Sequence, residues 1–351
     1  MNITQYLKLM VEKKASDLFF TANAQVKIKI EGRQVPVGKT FLTGEMVKDA
    51  AYGIMNEKQI RSFEVKHECD FAIVEEDVGR FRVNVFLQRG QVAMVLRYIP
   101  SEVPKLADLG LPDVLKDLIM HKRGMILLVG ATGSGKSTTI AAMIRHRNES
   151  EAVHILTVED PIEYNHANIQ AIINQREIGQ DTLSYANALK QSLREAPDIV
   201  VIGECRDQET MEAAIQLAGT GQLAISTLHA NNAHQTMDRI INMFPQQLHK
   251  QLFMDLSINL RAIISQRLVM SREGKRIAAV EVMLNTPHIA DLILKGKIDE
   301  IREAMEESHE AGMQSFDEAL HRLFKAGRVT LEEALRNADS RANLEAKINF
   351  G

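Results

Sequence analysis

The segment at residues 130–137 constrains the fold of this chain more than any other part of the sequence. It reads GATGSGKS and matches the phosphate-binding pattern G-x-x-x-x-G-K-[ST]. The apolar run MILLV precedes it and STTIAAMI follows it, so we expect a buried strand, a loop and a helix in succession. In such a loop the glycines let successive backbone N–H groups point at phosphate oxygens, and the helix start adds its positive dipole. The motif therefore predicts a nucleotide site at a strand–helix junction.

Every residue of this loop is a candidate nucleotide contact. The pattern predicts that Lys136 reaches the β- and γ-phosphates and that the Ser137 hydroxyl ligates Mg²⁺. The candidate contacts are Gly130, Ala131, Thr132, Gly133, Ser134, Gly135, Lys136, Ser137 and Thr138.

The chain is long enough for two domains, since 351 residues exceed the roughly 250–300 that one hydrophobic core usually serves. Alternating strands, with turns at Gly32 and Gly90, and intervening helices predict an α+β domain over residues 1–99. Three prolines and a glycine between residues 100 and 112 indicate a linker. We expect the second domain at residues 113–351.

The second domain has the pattern of a parallel sheet. Strand-length apolar runs at residues 125–129, 153–158, 199–202 and 223–227 are separated by helix-length segments. Strands that are buried on both faces have such continuous apolar runs, and their alternation with helices is typical of an α/β domain. From about residue 286 the sequence predicts helices alone.

Acidic residues follow two of these strands. Glu159, Asp160 and Glu163 surround the end of the second run, where a carboxylate can orient the water that attacks a γ-phosphate or hold Mg²⁺. Glu204 follows the third run in a Walker B pattern, and its longer arm predicts contact with Mg²⁺ through water. His229 follows the fourth run and is a candidate sensor of the γ-phosphate, although a lone histidine is more often structural.

The first domain carries arginines on one strand face. Arg80 and Arg82 alternate with apolar residues, and Arg97 lies on a later strand. Two interpretations stay open from the residues alone: an ordinary polar sheet face, or a set of arginines that reaches a nucleotide held by another subunit.

Composition excludes several classes. The charge is 42 basic against 46 acidic residues, aromatic residues make up 5% and tryptophan is absent, so a nucleic-acid motor is disfavoured. Cys69 and Cys205 cannot alone form a disulfide framework or a four-cysteine zinc site. With no export signal and no membrane-length apolar run, we expect a cytoplasmic protein without direct membrane insertion.

Taken together, the motifs resemble those of the secretion-superfamily ATPases, and among these the pilus retraction motors of the PilT/PilU family. The resemblance covers nearly the whole chain. The segments that carry it are Ala15–Leu18, Gly79–Asn84, Gly130–Ser137, Val158–Glu163, Leu193–Asp207, Ser226–His229 and Gly312–Leu320.

The resemblance implies a homo-hexameric ring that couples ATP hydrolysis, with Mg²⁺, to mechanical work. Each subunit would have a PAS-like domain followed by a RecA-like P-loop domain, with ATP between the domains and against a neighbouring subunit. By this resemblance Glu163 is the catalytic carboxylate, Glu204 the Walker B acid and His229 the His-box residue. Arg80, Arg82 and Arg97 correspond to the family's nucleotide-facing arginines.

The sequence departs from the PilT pattern in two places. PilT-type motors carry Ala-Ile-Arg-Asn-Leu-Ile-Arg-Glu where this chain has HIADLILK at residues 288–295, and an early Asp-Leu-His is Asp-Leu-Phe at residues 17–19. These differences favour an accessory, PilU-like motor that works with a PilT-type partner and the inner-membrane platform protein, at the cytoplasmic face of the membrane.

Other functions stay open. A principal PilT-like retraction motor is the nearest alternative. An assembly ATPase is disfavoured, because those proteins resemble this chain in the core but have a longer N-terminal region and usually a four-cysteine motif. A non-catalytic ring component is disfavoured by the presence of Lys136, Ser137, Glu163, Glu204 and His229 together.

Overall fold

A computed structural model describes residues 3–30, 32–100, 102–308 and 310–350, which form two compact units. The first unit comprises the described residues up to Glu102 together with Glu163–Asn165, and the second comprises Val103–Ile162 and the described residues from His166 onward. No helix in the described ranges combines the length and the apolar character needed to cross a bilayer.

The first unit is built on a six-stranded antiparallel sheet of order β3-β2-β1-β6-β5-β4. Its elements are α1 (Ile3–Glu12), β1 (Asp17–Phe20), β2 (Gln25–Ile30), β3 (Arg33–Phe41), α2 (Gly44–Tyr52), α3 (Glu57–Lys66), β4 (Glu68–Glu75), β5 (Gly79–Gln88) and β6 (Gln91–Ile99).

Period-two alternation explains the core of this unit. In β5, Phe81, Val83 and Val85 are fully buried while Arg80 and Arg82 lie on the opposite face. The helices pack with these apolar residues in one cluster, to which α1 contributes its buried residues at helical spacing. The face with the arginines is therefore the one that the core does not use.

The second unit contains a seven-stranded sheet of order β13-β12-β7-β11-β10-β8-β9. Six strands run parallel, and β13 is antiparallel at one edge. The elements up to the last strand are α4 (Val114–Ile119), β7 (Gly124–Val129), α5 (Lys136–Ser150), β8 (His154–Glu159), β9 (Ile172–Glu177), α6 (Tyr185–Ser192), β10 (Ile199–Ile202), α7 (Gln208–Gly219), β11 (Leu223–Leu228), α8 (Ala233–Asn242), α9 (His249–Asn259), β12 (Leu260–Met270) and β13 (Arg276–Leu284).

Burial on both faces explains the continuous apolar runs of this sheet. In β7, Met125 and Leu127 join the cluster formed with α7 and α9, while Ile126 and Leu128 join the one formed with α4 and α5. This arrangement confirms the predicted α/β class.

Apolar runs predict four strands of this sheet, and the other three do not show such runs. β9 is an edge strand with a largely polar sequence, IINQRE, so its pattern resembles a loop. β12 and β13 form a long antiparallel hairpin that continues the sheet beyond β7. Both contain polar residues at buried positions, which interrupt the apolar runs used to recognise strands.

Helices make up the rest of the described chain. They are α10 (Pro287–Leu294), α11 (Ile301–Glu306), α12 (Phe316–Lys325), α13 (Leu331–Asn337) and α14 (Arg341–Phe350). A small apolar cluster around Phe316 and Leu320 packs α12, α13 and α14 against Val269 of β12 and Ala279 of β13.

Candidate nucleotide site

The parallel strands end together at one edge of the sheet. β7 ends at Val129 beside Leu228 of β11, and β10 pairs Ile202 with Val158 of β8. Ligands of open α/β sheets bind at this carboxyl edge. The sequence-predicted residues that follow these strands are Gly130, Glu204, His229 and, at the end of β8, Glu159 and Asp160.

The phosphate loop has a backbone that only glycine adopts easily. Gly130, Gly133 and Gly135 have φ values of +149°, +78° and +91°. Helix α5 begins directly after Gly135, at Lys136. The loop therefore leads its N–H groups into a helix N-terminus, which is the arrangement that binds phosphate.

Lys136 is folded back across this loop. Its side chain is buried, and Nζ donates to the carbonyl oxygens of Gly130 at 2.8 Å and Ala131 at 3.0 Å. Ser137 and Thr138, which follow it in the first turn of α5, are half-buried. The predicted cation is thus held at the loop by acceptors that phosphate oxygens can replace.

Two observations indicate that the loop suits a phosphate group. Ser134 is buried, and its Oγ has no hydrogen-bond partner among the residues that the structure describes. A buried hydroxyl without a partner is uncommon and calls for a ligand or water. The positive φ angles of the three glycines keep the loop open as a concave turn of N–H donors.

Glu204 and His229 are brought into contact. Glu204 Oε1 lies 3.3 Å from His229 Nε2, and its Oε2 accepts from Arg206 Nε at 2.8 Å. The bond to Glu204 raises the pKa of the Arg206 guanidinium, so this cation keeps its charge. Glu204 therefore bridges a histidine and an arginine, and the sequence pattern did not predict the arginine.

Backbone and hydroxyl contacts hold these strand ends together. Thr227 Oγ1 donates to the Gly203 carbonyl at 2.7 Å, and the Cys205 N–H donates to the Thr227 carbonyl at 3.0 Å. Burial raises the pKa of the Cys205 thiol to about 12, so it remains protonated and unreactive. These bonds on either side of Glu204 fix its backbone against β11.

An open cavity of about 490 Å³ lies beside the loop. Gly130, Ala131 and His229 line it together with polar residues of α8. Arg239 of that helix donates to the His229 carbonyl at 2.9 Å. The histidine is thus held at its backbone by Arg239 and approached at its ring by Glu204.

The carboxylates of the acidic segment after β8 have different surroundings. Glu159 Oε1 accepts from Thr157 at 2.6 Å and from Gln175 at 3.2 Å. Tyr185 lies near the same strand ends: burial first, and then the charge of Asp160, raise the pKa of its phenol. These contacts place Glu159 and Asp160 among polar groups of the second unit.

Glu163 lies at the end of the same segment, and its side chain is exposed. The preceding N–H, that of Ile162, donates to the buried carboxylate of Glu177 at 3.2 Å. Glu163 itself groups with the first unit. Glu177 anchors the backbone before it, which is a contact that the sequence analysis did not predict.

The candidate arginines lie in the first unit. Arg82 and Arg97 are cross-strand partners on β5 and β6. Arg82 Nε donates to Asp70 Oδ1 at 3.0 Å, and Arg97 Nε donates to Asp17 Oδ1 at 2.8 Å. Arg80 lies two residues before Arg82 on the same strand. Arg80 and Arg82 are half-buried, and Arg97 is exposed. The sheet face therefore presents a row of arginines with carboxylates beside it.

Known proteins are similar to this chain along nearly its whole length. The family described as "Type II/IV secretion system protein" matches residues 2–344. The type IV pilus ATPase PilU of Pseudomonas aeruginosa is 50% identical over 352 residues, which span 100% of this chain and 92% of that protein. The type IV pilus retraction ATPase PilT of the same organism is 39% identical over 338 residues, with 96% and 98% covered.

A solved structure has a similar fold. The crystal structure of the pilus retraction motor PilT with bound ADP has a TM-score of 0.93 at 40% identity, covering 98% of this chain and 99% of that chain. The predicted resemblance to retraction ATPases is confirmed. The greater likeness to the PilU type than to the PilT type, predicted from the departures at residues 17–19 and 288–295, is confirmed by the two identities.

Proposed function

The chain belongs to the type II/IV secretion system protein family, and we propose that it is a hexameric ATPase motor for type IV pilus retraction, with an accessory, PilU-like role. The observation that carries this proposal is the carboxyl edge of the second unit. There the phosphate loop and a Glu204–His229 contact occupy the ends of neighbouring strands. Such an edge can bind ATP and respond to its γ-phosphate.

The residues of the second unit would divide the work at the phosphates. Lys136 exchanges its loop carbonyls for β- and γ-phosphate oxygens, and the N–H groups of the loop neutralise further negative charge. Ser137 and, through water, Glu204 would hold Mg²⁺, which neutralises charge on the phosphates when it is bound. His229, held by Glu204, registers the γ-phosphate.

Glu163 would act as the base. Its side chain is exposed, so the carboxylate can accept a hydrogen bond from a water molecule and orient it toward the γ-phosphorus. Glu159 is the alternative base, and its Oε1 accepts from Thr157 and Gln175 within the second unit. Glu177 supports the choice by anchoring the neighbouring Ile162 N–H.

The arginines of the first unit would act in the assembled ring. Arg80, Arg82 and Arg97 share one sheet face, and an arginine supplied to the developing γ-phosphate charge accelerates hydrolysis strongly. We infer that they reach a nucleotide that another subunit holds. Asp70 and Asp17, the carboxylate partners of Arg82 and Arg97, keep these two guanidinium groups oriented until they engage.

The domain assignment follows the same resemblance. The antiparallel sheet of the first unit supports a PAS-like domain at residues 1–99, and the parallel sheet of the second supports a RecA-like domain at residues 113–351 with a helical part from about residue 286. Residues 100–112 would form the linker. The division of the chain at Glu102 and Val103 supports this boundary.

The accessory role rests on α10. Where PilT-type motors carry two arginines and a glutamate, this helix has Ala290, Leu294 and the following Lys295, and Lys295 pairs with Asp291 at 2.7 Å. Ile289, Leu292 and Ile293 are buried, so the altered positions change the surface of the helix and leave its packing intact. The protein would work beside a PilT-type motor and the platform protein, at the cytoplasmic face of the inner membrane.

A turnover assay tests the enzymatic part. Purified protein should hydrolyse ATP only with Mg²⁺, and Lys136→Ala should reduce the rate by a factor on the order of a hundred or more. Lys190→Ala, at an exposed lysine of α6, is the matched control and should hydrolyse ATP normally. Near-normal turnover by Lys136→Ala would overturn the assignment.

Complementation tests the cellular part. Cells that lack both retraction ATPases should not shorten their pili when only this protein is supplied, and should do so when a PilT-type motor is supplied with it. Normal retraction with this protein alone would make it a principal motor. Retraction restored beside the partner by Lys136→Ala would show that its contribution is structural.

A further inference from the structure

Gln266 is a buried polar residue that no nucleotide motif includes. It lies on β12, next to β7, where Ser265 pairs with Val129, the last residue before the phosphate loop. Only 3% of Gln266 is exposed. A glutamine buried this deeply must have its amide satisfied, and its surroundings therefore show what it is there to hold.

The backbone of Gln266 touches the start of the loop. A Cβ atom built on Gly130 would lie 2.4 Å from the Gln266 carbonyl oxygen, which is closer than any side-chain carbon can come. Gly130 therefore approaches β12 at a distance that excludes every other residue. The loop leaves β7 while pressed against this one position of the neighbouring strand.

The side chain of Gln266 reaches the other end of the loop. Its Oε1 accepts from Thr139 Oγ1 at 2.7 Å, and Thr139 lies in the first turn of α5 with 1% exposure. Its Nε2 lies 2.7 Å from where a Cβ on Gly135 would stand. One residue, 127 positions away from Thr139 in sequence, thus contacts both ends of the loop and the helix that follows.

We propose that Gln266 is a positioning residue that sets the height and orientation of the phosphate loop and of the N-terminus of α5 toward bound nucleotide; this inference rests on the proposed nucleotide-binding function. Its amide accepts from the helix while its carbonyl and amide nitrogen limit the loop at Gly130 and Gly135. The N–H donors between these two glycines are held in place before nucleotide arrives, which is what efficient phosphate recognition requires.

The chemistry of the amide explains why glutamine suits this position. Leucine or methionine could fill the same volume, but neither would accept from Thr139, which would leave a buried hydroxyl without that partner. Glutamate has the same shape and could accept from Thr139, but its ionised form would place a negative charge next to a site that binds phosphate. Only an uncharged amide both accepts from the helix and leaves the site electropositive.

Three substitutions test the proposal: Gln266→Leu, Gln266→Glu and Thr139→Val. The affinity for fluorescent ADP and ATP analogues is measured directly, together with kcat and KM for ATP and the unfolding midpoint without nucleotide. We expect Gln266→Leu and Gln266→Glu to raise Kd and KM by between about tenfold and a hundredfold, because displacing a preorganised site by about 1 Å has effects of this size. Thr139→Val should have a smaller effect of the same kind.

Two further readouts separate positioning from a general loss of packing. The defect of Gln266→Glu should shrink as the pH is lowered, since a protonated carboxyl carries no negative charge beside the phosphate site, whereas the defect of Gln266→Leu should not change with pH. Combining Gln266→Leu with Thr139→Val should be less than additive, because both remove the same bond.

A matched control is available in Gln314, a second buried glutamine of the same unit. Its Nε2 donates to the Val280 carbonyl at 2.7 Å and its Oε1 accepts from Arg322, and neither partner belongs to the phosphate loop. Gln314→Leu should lower the unfolding midpoint and leave nucleotide affinity unchanged.

The outcomes separate this proposal from the function on which it rests. Folded Gln266 variants with wild-type Kd and KM, or an equal loss of affinity in Gln314→Leu, would overturn the positioning role. A wild-type protein that binds nucleotide without hydrolysing it would overturn the ATPase assignment, while the Kd comparison would still decide the role of Gln266. A wild-type protein that binds no nucleotide would overturn both.

Discussion

Replacing the loop glycines one at a time by alanine should produce a defined order of damage. Gly130→Ala places a methyl group 2.4 Å from the Gln266 carbonyl oxygen and 2.5 Å from Ser134 Oγ, at a φ of +149°. The first of these is a backbone atom of a central sheet, which cannot move away. Backbone strain of about 1–3 kcal/mol and overpacking of about 1–3 kcal/mol should both lower the free energy of unfolding.

The other two glycines provide graded comparisons. Gly135→Ala meets Gln266 Nε2 at 2.7 Å, the end of a side chain that can rotate, so its overpacking should be smaller. Gly133→Ala meets nothing within 4 Å at a φ of +78°, so only strain of about 1–2 kcal/mol remains. The expected order of destabilisation is Gly130→Ala, then Gly135→Ala, then Gly133→Ala.

Denaturant unfolding of the nucleotide-free protein measures this order, and ATP affinity measured on the same samples reports the shape of the loop. Gly135→Ala combined with Gln266→Ser should destabilise the protein by less than the sum of the two single effects, since the shorter side chain removes the clash. Gly130→Ala should gain nothing from the same substitution, because its contact is with the backbone. If Gly133→Ala proves as damaging as Gly130→Ala, the close approach to β12 is not what requires glycine at the start of the loop.

Three further outcomes are expected. Glu163→Gln should bind ATP and lose turnover in a phosphate-release assay, because the amide keeps the shape of the side chain but not the charge that orients water; normal hydrolysis would transfer the role to Glu159. Rings mixed from Arg82→Ala and Glu163→Gln subunits should recover part of the ATPase activity if the arginine serves a neighbour, and no recovery in rings proven to be mixed would place its effect within its own subunit. Burial raises the pKa of Glu281 from 4.5 to about 7, so the folded state holds this proton more tightly than the unfolded state. The wild type should therefore lose stability as the pH rises from 4.5 to 7, by up to about 3 kcal/mol, and Glu281→Gln should flatten this part of a pH series of unfolding curves; an unchanged slope would show that Glu281 is not its source.

Most of the fold could be predicted from motifs and apolar runs, and the prediction failed only at particular strands. β7, β8, β10 and β11 were predicted within one residue at each end because strands covered on both faces need continuous apolar sequence. β12 and β13 escaped because polar residues such as Gln266 and Glu281 are buried within them. Those residues are satisfied by partners far away in the chain, and no local pattern reports such a partner.

At the candidate site, too, some residues could be predicted from the sequence and others could not. Lys136, Glu204 and His229 were identified from strand ends and spacing, and the structure brings Glu204 and His229 into contact. Arg206 was missed, although it follows Glu204 by two residues, because an arginine after a strand is an ordinary surface residue until its partner is known. The roles of the three identified residues, and those of Glu163 and the three arginines, stay predictions.

The sequence by itself determined the chemistry that this chain can perform. A phosphate loop needs glycines, a lysine and a hydroxyl in adjacent positions, and local backbone geometry makes that pattern readable without a fold. Tertiary structure decided which groups support that chemistry. Gln266 contacts a loop more than a hundred residues away, and Glu204 meets His229 only because parallel strands align their ends. Contacts of this kind depend on strand order and register, which arise when the whole sheet assembles.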